Sequence, residues 1–238
     1  MAHAENVYLF SLGAGVAPRY EGSNTYRAVF APGIAADFGN GLFISSTDGA
    51  GYKKTFSNGM FVSTALGYDY GRSDSNRTDL PGSDYLKGMG RIPGSVMASF
   101  QVGAHVFGES TVSLTLEQPL THTAHGTSGH FDFKVPVIET AHNEVTLTSS
   151  LHAGSERYTQ TFFGVTAAQS ASSGFRPYTA KGGFDSTTFS IAWNYKITPK
   201  WSLHTEAGAT HYLGAYGKSP IVQAKNAYTG MMAVVYRY

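Results

Sequence analysis

The sequence predicts an all-β fold, a transmembrane antiparallel β-barrel of twelve strands, with ten or fourteen as the alternatives. Three observations predict it. Apolar and polar residues alternate along most of the chain. The connections between alternating segments are by turns short and long. The chain closes on an aromatic residue at the end of an apolar strand face.

The alternation has period two, which a strand separates onto two faces and a helix would scatter. In Phe189-Ser190-Ile191-Ala192-Trp193-Asn194-Tyr195-Lys196-Ile197, one face carries Phe, Ile, Trp, Tyr and Ile, and the other Ser, Ala, Asn and Lys. Val145, Leu147, Leu151 and Ala153 oppose Glu144, Thr146, Thr148, Ser150 and His152. Phe131, Phe133, Val135 and Val137 oppose Asp132 and Lys134, and Val112, Leu114 and Leu116 oppose Ser113, Thr115 and Glu117. Val96, Ala98, Phe100, Val102, Ala104 and Val106 oppose Ser99, Gln101 and His105.

Strands are expected at about 6–19, 26–38, 41–47, 50–57, 60–70, 94–107, 110–121, 129–138, 144–154, 183–197, 200–213 and 227–238. The third and fourth are short and glycine-rich. Gly39-Asn40, Asn58-Gly59, Gly108-Glu109, residues 139–142 and Thr198-Pro199 form tight connections of turn-forming residues. Segments 20–25, 71–93, 122–128, 155–182 and 214–226 are longer. Only the link at Thr47-Asp48-Gly49 breaks the contrast. Loops sorted by length onto two ends match outer-membrane barrels, with short periplasmic turns and longer external loops. An even strand count puts both termini on the short-turn side.

At the C-terminus, Tyr238, Tyr236, Val234, Met232, Gly230 and Tyr228 share one face. Tyr238, Tyr236, Val234 and Met232 resemble the signal that outer-membrane insertion machinery reads on its clients.

Composition agrees. Charged residues are 14% of the 238, against about 25% in a soluble domain. Tyrosine and phenylalanine number 15 each, and glycine 28. This aromatic-rich, charge-poor balance excludes intrinsic disorder. Seventeen basic against sixteen acidic residues leave no field to attract nucleic acid. The absence of cysteine excludes a disulfide framework, a thiolate metal site and a cysteine nucleophile. No apolar run reaches the length of a transmembrane helix, about 18 residues. Residues 1–5 read as an expression start on a mature N-terminus without a signal peptide, and residues 6–238 as a single outer-membrane barrel domain.

The inward face follows from the alternation: Arg27, Asp37, Lys53, Asp69, Glu117, Asp132, Lys134, Glu144, Lys196, His204, Glu206 and Arg237. Five basic and six acidic residues, with one histidine, predict a self-paired lining that holds the barrel round. A barrel of about twelve strands needs its lumen filled. Segments 71–93 and 155–182 are long enough to fold inward as a gate or plug. Tyr26, Tyr68, Trp193, Trp201, Tyr228 and Tyr238 fall near strand ends, as interfacial girdles do.

Three site chemistries are weighed. Ser202, His204 and Glu206 share a strand face, an acid/base pattern, but near the periplasmic turn rather than the outer leaflet; no Gly-x-Ser-x-Gly or Ser-x-x-Lys accompanies them, and no catalytic residue is assigned. His122, His125 and His130 fall in or beside one external loop, where imidazoles would suit a weak metal site. Arg72, Arg77, Lys87 and Arg91, interspersed with Asp74, Asp79 and Asp84, offer a mixed-charge loop that could touch lipopolysaccharide phosphates. No cofactor is expected.

Several short motifs stand in order along the chain. They are Phe10-Ser11-Leu12-Gly13-Ala14-Gly15-Val16, Tyr20-Glu21-Gly22-Ser23, Phe162-Phe163-Gly164-Val165 and Ser173-Gly174-Phe175-Arg176-Pro177-Tyr178. Tyr212-Leu213, Lys218-Ser219-Pro220-Ile221-Val222 and Val235-Tyr236-Arg237-Tyr238 follow. The ordered set resembles the MipA/OmpV family of Gram-negative outer-membrane proteins over the whole length. Phe162 and Lys218 stand where that family often has Tyr and Asp. The resemblance implies localisation in the outer membrane of a Gram-negative bacterium, with lipid, lipopolysaccharide and the barrel-insertion machinery as surroundings. It also implies a non-enzymatic scaffold bridging a lytic transglycosylase and a penicillin-binding protein. A narrow porin for small solutes is the alternative, and a lipid-active barrel enzyme the third reading.

Overall fold

The computed structural model describes residues 6–214 and 216–238; the expected expression start at residues 1–5 lies outside them. Twelve strands among the described residues form one closed antiparallel barrel in which each strand pairs with its neighbours in sequence and β1 pairs with β12. They are β1 (Val7–Pro18), β2 (Tyr26–Asp37), β3 (Leu42–Ser45), β4 (Gly49–Thr55), β5 (Met60–Asp69) and β6 (Ser95–His105). The second half comprises β7 (Thr111–Pro119), β8 (Ser128–Glu139), β9 (Asn143–Gly154), β10 (Gly183–Lys196), β11 (Trp201–Tyr212) and β12 (Asn226–Arg237). The expected strands are all present, within three residues at each end.

Closure gives every strand a neighbour on each side, so the sheet has no free edge strand, as crossing hydrocarbon demands. Tyr238 completes the seam: its N–H donates to Tyr8 O at 2.9 Å. The side chains obey the period of two. On β2, Phe30 is 79% exposed while Arg27, Val29, Ala31 and Gly33 turn inward. Phe10, Leu12, Leu66, Phe100, Leu116, Phe189, Ile191, Met232 and Val234 likewise coat the outside. Among the described residues no helix is long and apolar enough to cross a membrane.

The periplasmic turns are built as their residues dictate. At Asn58-Gly59, the Asn58 side chain accepts from Met60 N at 3.1 Å, and Gly59 takes φ +82°, a left-handed conformation that glycine adopts without strain. Two bulges break the alternation. One falls after Pro136 in β8, so Ile138 rather than Val137 pairs with the outward Val145. Proline has no N–H for the ladder and is tolerated where the ladder is already interrupted. The other falls between Phe184 and Ser186 in β10.

The external segment 155–182, expected as a loop, contains two helices: α1 (Glu156–Phe163) and α2 (Ala167–Ser173). Ser155 caps α1 by accepting from Tyr158 N. Thr166 and Gln169 form a reciprocal capping box on α2, and Gly174 ends it in a left-handed conformation. The Thr-x-x-Gln spacing was the available sequence signal.

The external loops converge into a cap over the barrel mouth, with an apolar core in two clusters. Tyr20, Leu86, Met89, Val165 and Ile221 form the first, against Phe175 and Tyr178. Phe163, Ala180, Tyr212, Tyr216 and Ala227 form the second, against Tyr158, Phe162 and Val222. Each large buried side chain contributes about 1.5–3 kcal/mol. Tyr20 OH donates to Ile221 O at 2.7 Å, and Ser219 Oγ to Phe163 O at 2.6 Å, tying the first, fifth and last external loops together.

Candidate functional site

Beneath the cap lies a lumen cavity of about 1050 Å³. It runs from Tyr20, Arg72 and Phe162 at the ceiling to Gly39 and Gly41 at a periplasmic turn, along the β2–β8 side of the barrel. Asp37, Lys53, Asp69, Glu117, Asp132 and Lys134 line it. Strand register turns Glu144, Lys196, His204, Glu206 and Arg237 inward as well, but on the β9–β12 side, away from this cavity. Arg27 reaches up instead, its Nη1 donating to Thr78 O at 3.2 Å.

The lining differs in sign from the balanced expectation. Glu21, Asp37, Asp48, Asp69, Glu117 and Asp132 face the cavity against Lys53, Arg72 and Lys134. Glu21 comes from a loop and Asp48 from a turn, where strand alternation gives no orientation. Arg27, Lys196 and Arg237 are the cations that lie elsewhere.

The wall charges are anchored by hydrogen bonds. Asp132 meets His130 Nδ1 at 2.8 Å and accepts from Ser150 Oγ at 2.6 Å. Glu117 accepts from Ser128 Oγ at 3.1 Å. The Lys53 ammonium sits 4.4 Å from the centre of the Phe61 ring.

At the ceiling, Arg72 is buried; its Nη1 donates to Phe162 O at 2.5 Å, and its guanidinium lies 5.9 Å from the Tyr20 ring centre. Burial lowers its pKa to about 10, so it stays charged at neutral pH. Glu21 lines the cavity beneath the cap. Confinement away from bulk water raises its carboxyl above the usual range; His152 and Arg72 oppose this, and Asp185 and Asp69 add to it. Asp185, 2% exposed, meets His152 Nδ1 at 2.6 Å and accepts from Ser186 Oγ at 3.1 Å. Glu21, Arg72 and Asp185 were absent from the expected inward set, whereas His152 already stood on the polar face of its strand. For Asp185 the sequence signal was the polar run Asp185-Ser186-Thr187-Thr188, which interrupts the alternation where the bulge falls.

The three loop histidines do not converge. His122 and His125 stack at 5.5 Å between ring centres, with His122 in a left-handed backbone conformation. His130 lies on β8 and is engaged with Asp132. Among the described residues no three His, Cys, Asp or Glu side chains are grouped to hold a metal ion. Burial, and then His122, lower the pKa of His125.

His204 Nδ1 lies 2.7 Å from Asn194 Oδ1, and its Nε2 lies 3.9 Å from Glu206 Oε2. No hydrogen bond joins Ser202 to His204 among the described residues. Trp193, Trp201 and Tyr238 stand exposed at the periplasmic rim, and Tyr26, Tyr68 and Tyr228 at the outer one. Tyr236, Val234 and Met232 share the outward face of β12 with Tyr238.

A closed twelve-stranded barrel with an apolar outer belt, aromatic rims, short periplasmic turns and a polar lumen is a transmembrane protein of the Gram-negative outer membrane. The family model described as "MltA-interacting protein MipA" matches residues 10–238, and the chain belongs to that family. No curated protein matches. Among solved structures, the translocator domain of the autotransporter NalP from Neisseria meningitidis is similar at TM-score 0.50 and 9% identity, covering 100% of this chain and 90% of that one. A structure titled KdgM porin is similar at TM-score 0.49 and 10% identity, covering 96% and 98%. A COG4313 outer-membrane channel from Pseudomonas putida F1 is similar at TM-score 0.45 and 7% identity, covering 100% and 97%.

Proposed function

We propose that this chain is a non-catalytic scaffold of the outer membrane that engages murein-processing enzymes from its periplasmic side. The observation that supports this reading is the cap: two apolar clusters draw the external loops together over the outer mouth, which suits a docking platform better than an open conduit. The family's name supports a lytic transglycosylase, MltA, as one partner. A penicillin-binding protein is the second partner that the resemblance suggests. The test is co-purification of the detergent-solubilised barrel with each enzyme. Saturable binding to the transglycosylase, lost when the periplasmic turns are replaced by minimal Asn-Gly turns, is expected. No binding to either enzyme refutes the scaffold.

A narrow porin is the second reading, favoured by the 1050 Å³ charged cavity that reaches the periplasmic turn at Gly39 and Gly41. Planar-bilayer recording separates the two. Reproducible conductance steps from the intact protein favour the porin, and their absence favours the scaffold.

A further inference from the structure

The barrel wall has a notch. β3 spans four residues and pairs with β2 only at Ala35↔Ser45, Ala36↔Ile44 and Asp37↔Phe43. One further seam contact follows, between Ile34 and Ser46. From there β2 continues outward to Tyr26, roughly 27 Å of strand. Across the notch, β4 joins β5 only as far as Ala50↔Leu66, while β5 runs on to Asp69. Above the turn at 46–48 no strand stands between β2 and β5 among the described residues. Gly49, at φ +83°, makes the hairpin this tight: a Cβ there would strike the Leu66 carbonyl.

Register identifies the groups that face the notch. Tyr8 exchanges backbone bonds with Tyr238, so even residues of β1 face β12 and odd ones face β2. Odd residues pair with odd between β1 and β2, which turns the backbone polar groups of Ala28 and Phe30, and the carbonyl of Pro32, toward the notch. Phe56 N donates to Met60 O, so even residues of β5 face β4, and Tyr68 borders the notch. Pro32 suits such an edge because it presents no donor.

The cavity reaches this notch: Thr47, Asp48, Gly67, Tyr68 and Pro81 belong to its lining and also frame the opening. Tyr68 is on the outward face and 57% exposed. Phe30, Ile34 and Leu66 present lipid-facing surface around it. The loop above crosses by polar contacts, Gly82 N to Arg19 O at 2.6 Å and Arg27 Nη1 to Thr78 O at 3.2 Å. No residue of 73–82 belongs to either apolar cluster of the cap.

Unpaired backbone at membrane depth is tolerated where it lines a water-filled cavity. At this notch the polar lining of the cavity and the apolar outer face of Phe30, Ile34 and Leu66 lie side by side. The molecule that satisfies both sides has a hydrogen-bonding head and a hydrocarbon tail. We propose that the notch is a lateral port through which an acyl amphiphile of the outer leaflet reaches the lumen. Its chain crosses the wall between Phe30 and Tyr68, and its head lies near Asp48, Asp69 and Glu21. These carboxylates select an uncharged or cationic head over an anionic one.

The test is quenching of a single tryptophan in a Trp193→Phe, Trp201→Phe background, reconstituted in phosphatidylcholine vesicles with brominated acyl chains. Ala31→Trp places the probe inward beside the notch, and Ala192→Trp places it inward on the far wall. Phe30→Trp is the lipid-facing reference. Heat-modifiable gel mobility establishes that each variant is folded, and Val29→Trp replaces Ala31→Trp should that variant not fold. The port predicts at least twofold more quenching at residue 31 than at 192, abolished when two residues are inserted on each side of Thr47-Asp48 to lengthen the β3–β4 hairpin. Equal quenching at the two inward sites overturns the port, as does quenching that survives the insertion. A Phe30→Cys variant that forms a disulfide-linked dimer in the bilayer would assign the notch to a second copy and overturn it too.

Discussion

Arg72 Nη1 donates to the carbonyl oxygen of Phe162, and this bond ties the β5–β6 loop to helix α1 of the β9–β10 loop. The two segments are 90 residues apart in sequence. Both segments join in the cap over the barrel mouth, and this contact is one reason they meet there. Arg72→Ala leaves the partly buried Phe162 carbonyl without its donor, at a cost of about 1 kcal/mol to the cap. Hydrogen exchange of amides 160–165 is expected to quicken accordingly. Arg72→Lys is expected to restore little, since an ammonium lacks the planar fork that bonds Phe162 while lying over Tyr20.

Leu86 is fully buried among Tyr20, Met89, Val165 and Ile221. Leu86→Ala is expected to cost about 2–5 kcal/mol of cap stability through lost contacts and the cavity left behind. In bilayers, brief conductance openings more frequent than in the parent protein are the expected readout. The current through them is expected to prefer cations, because acidic groups outnumber basic ones along the cavity.

Desolvation within the lumen, before any neighbouring charge, holds the Glu21 carboxyl above its ordinary range. The folded state therefore binds its proton more tightly, and the associated stability is present below the unfolded pKa and lost as pH rises through the folded one. Protease resistance of the external loops is expected to increase on acidification across that window. Glu21→Gln is expected to remove that pH dependence. An unchanged pH profile in the variant would contradict the assignment to Glu21.

His125 works in the opposite direction. Its pKa is lowered by burial and by His122, so its contribution is full above the unfolded value and is lost as pH falls through the folded one. Exchange of amides 120–127 is expected to accelerate below about pH 6.5. His125→Phe is expected to flatten that response, while keeping the ring contact with Phe162.

Tyr238 is expected to act in assembly more than in stability. It is largely exposed, and its backbone joins Tyr8 at the β1–β12 seam. Deletion of Tyr238 is expected to slow folding by the insertion machinery several-fold in a reconstituted assay. Tyr238→Phe, which keeps an aromatic on that face, is expected to fold at the parent rate.

The strands were legible because one physical demand, hydrocarbon outside and water inside, is written into every second residue. Phe189 through Ile197 shows it in nine positions, and the strand there runs as expected. Asp37, Lys53, Asp69, Glu117, Asp132 and Lys134 were placed on the lumen side by the same rule. Loop residues carry no such period. Nothing around Glu21 or Arg72 in sequence reveals that both meet the cavity ceiling.

By itself the sequence determined the closed antiparallel barrel and which face of each strand is apolar, since these follow from local alternation. Tertiary structure decided the rest. Residues separated by most of the chain, such as Tyr20 and Ile221, had to meet before a cap existed. The bulge that seats Asp185 against His152 depends on register between β9 and β10. The short link at Thr47-Asp48-Gly49 was visible as an irregularity, but only the unequal heights of β2, β3 and β5 turn it into an opening in the wall.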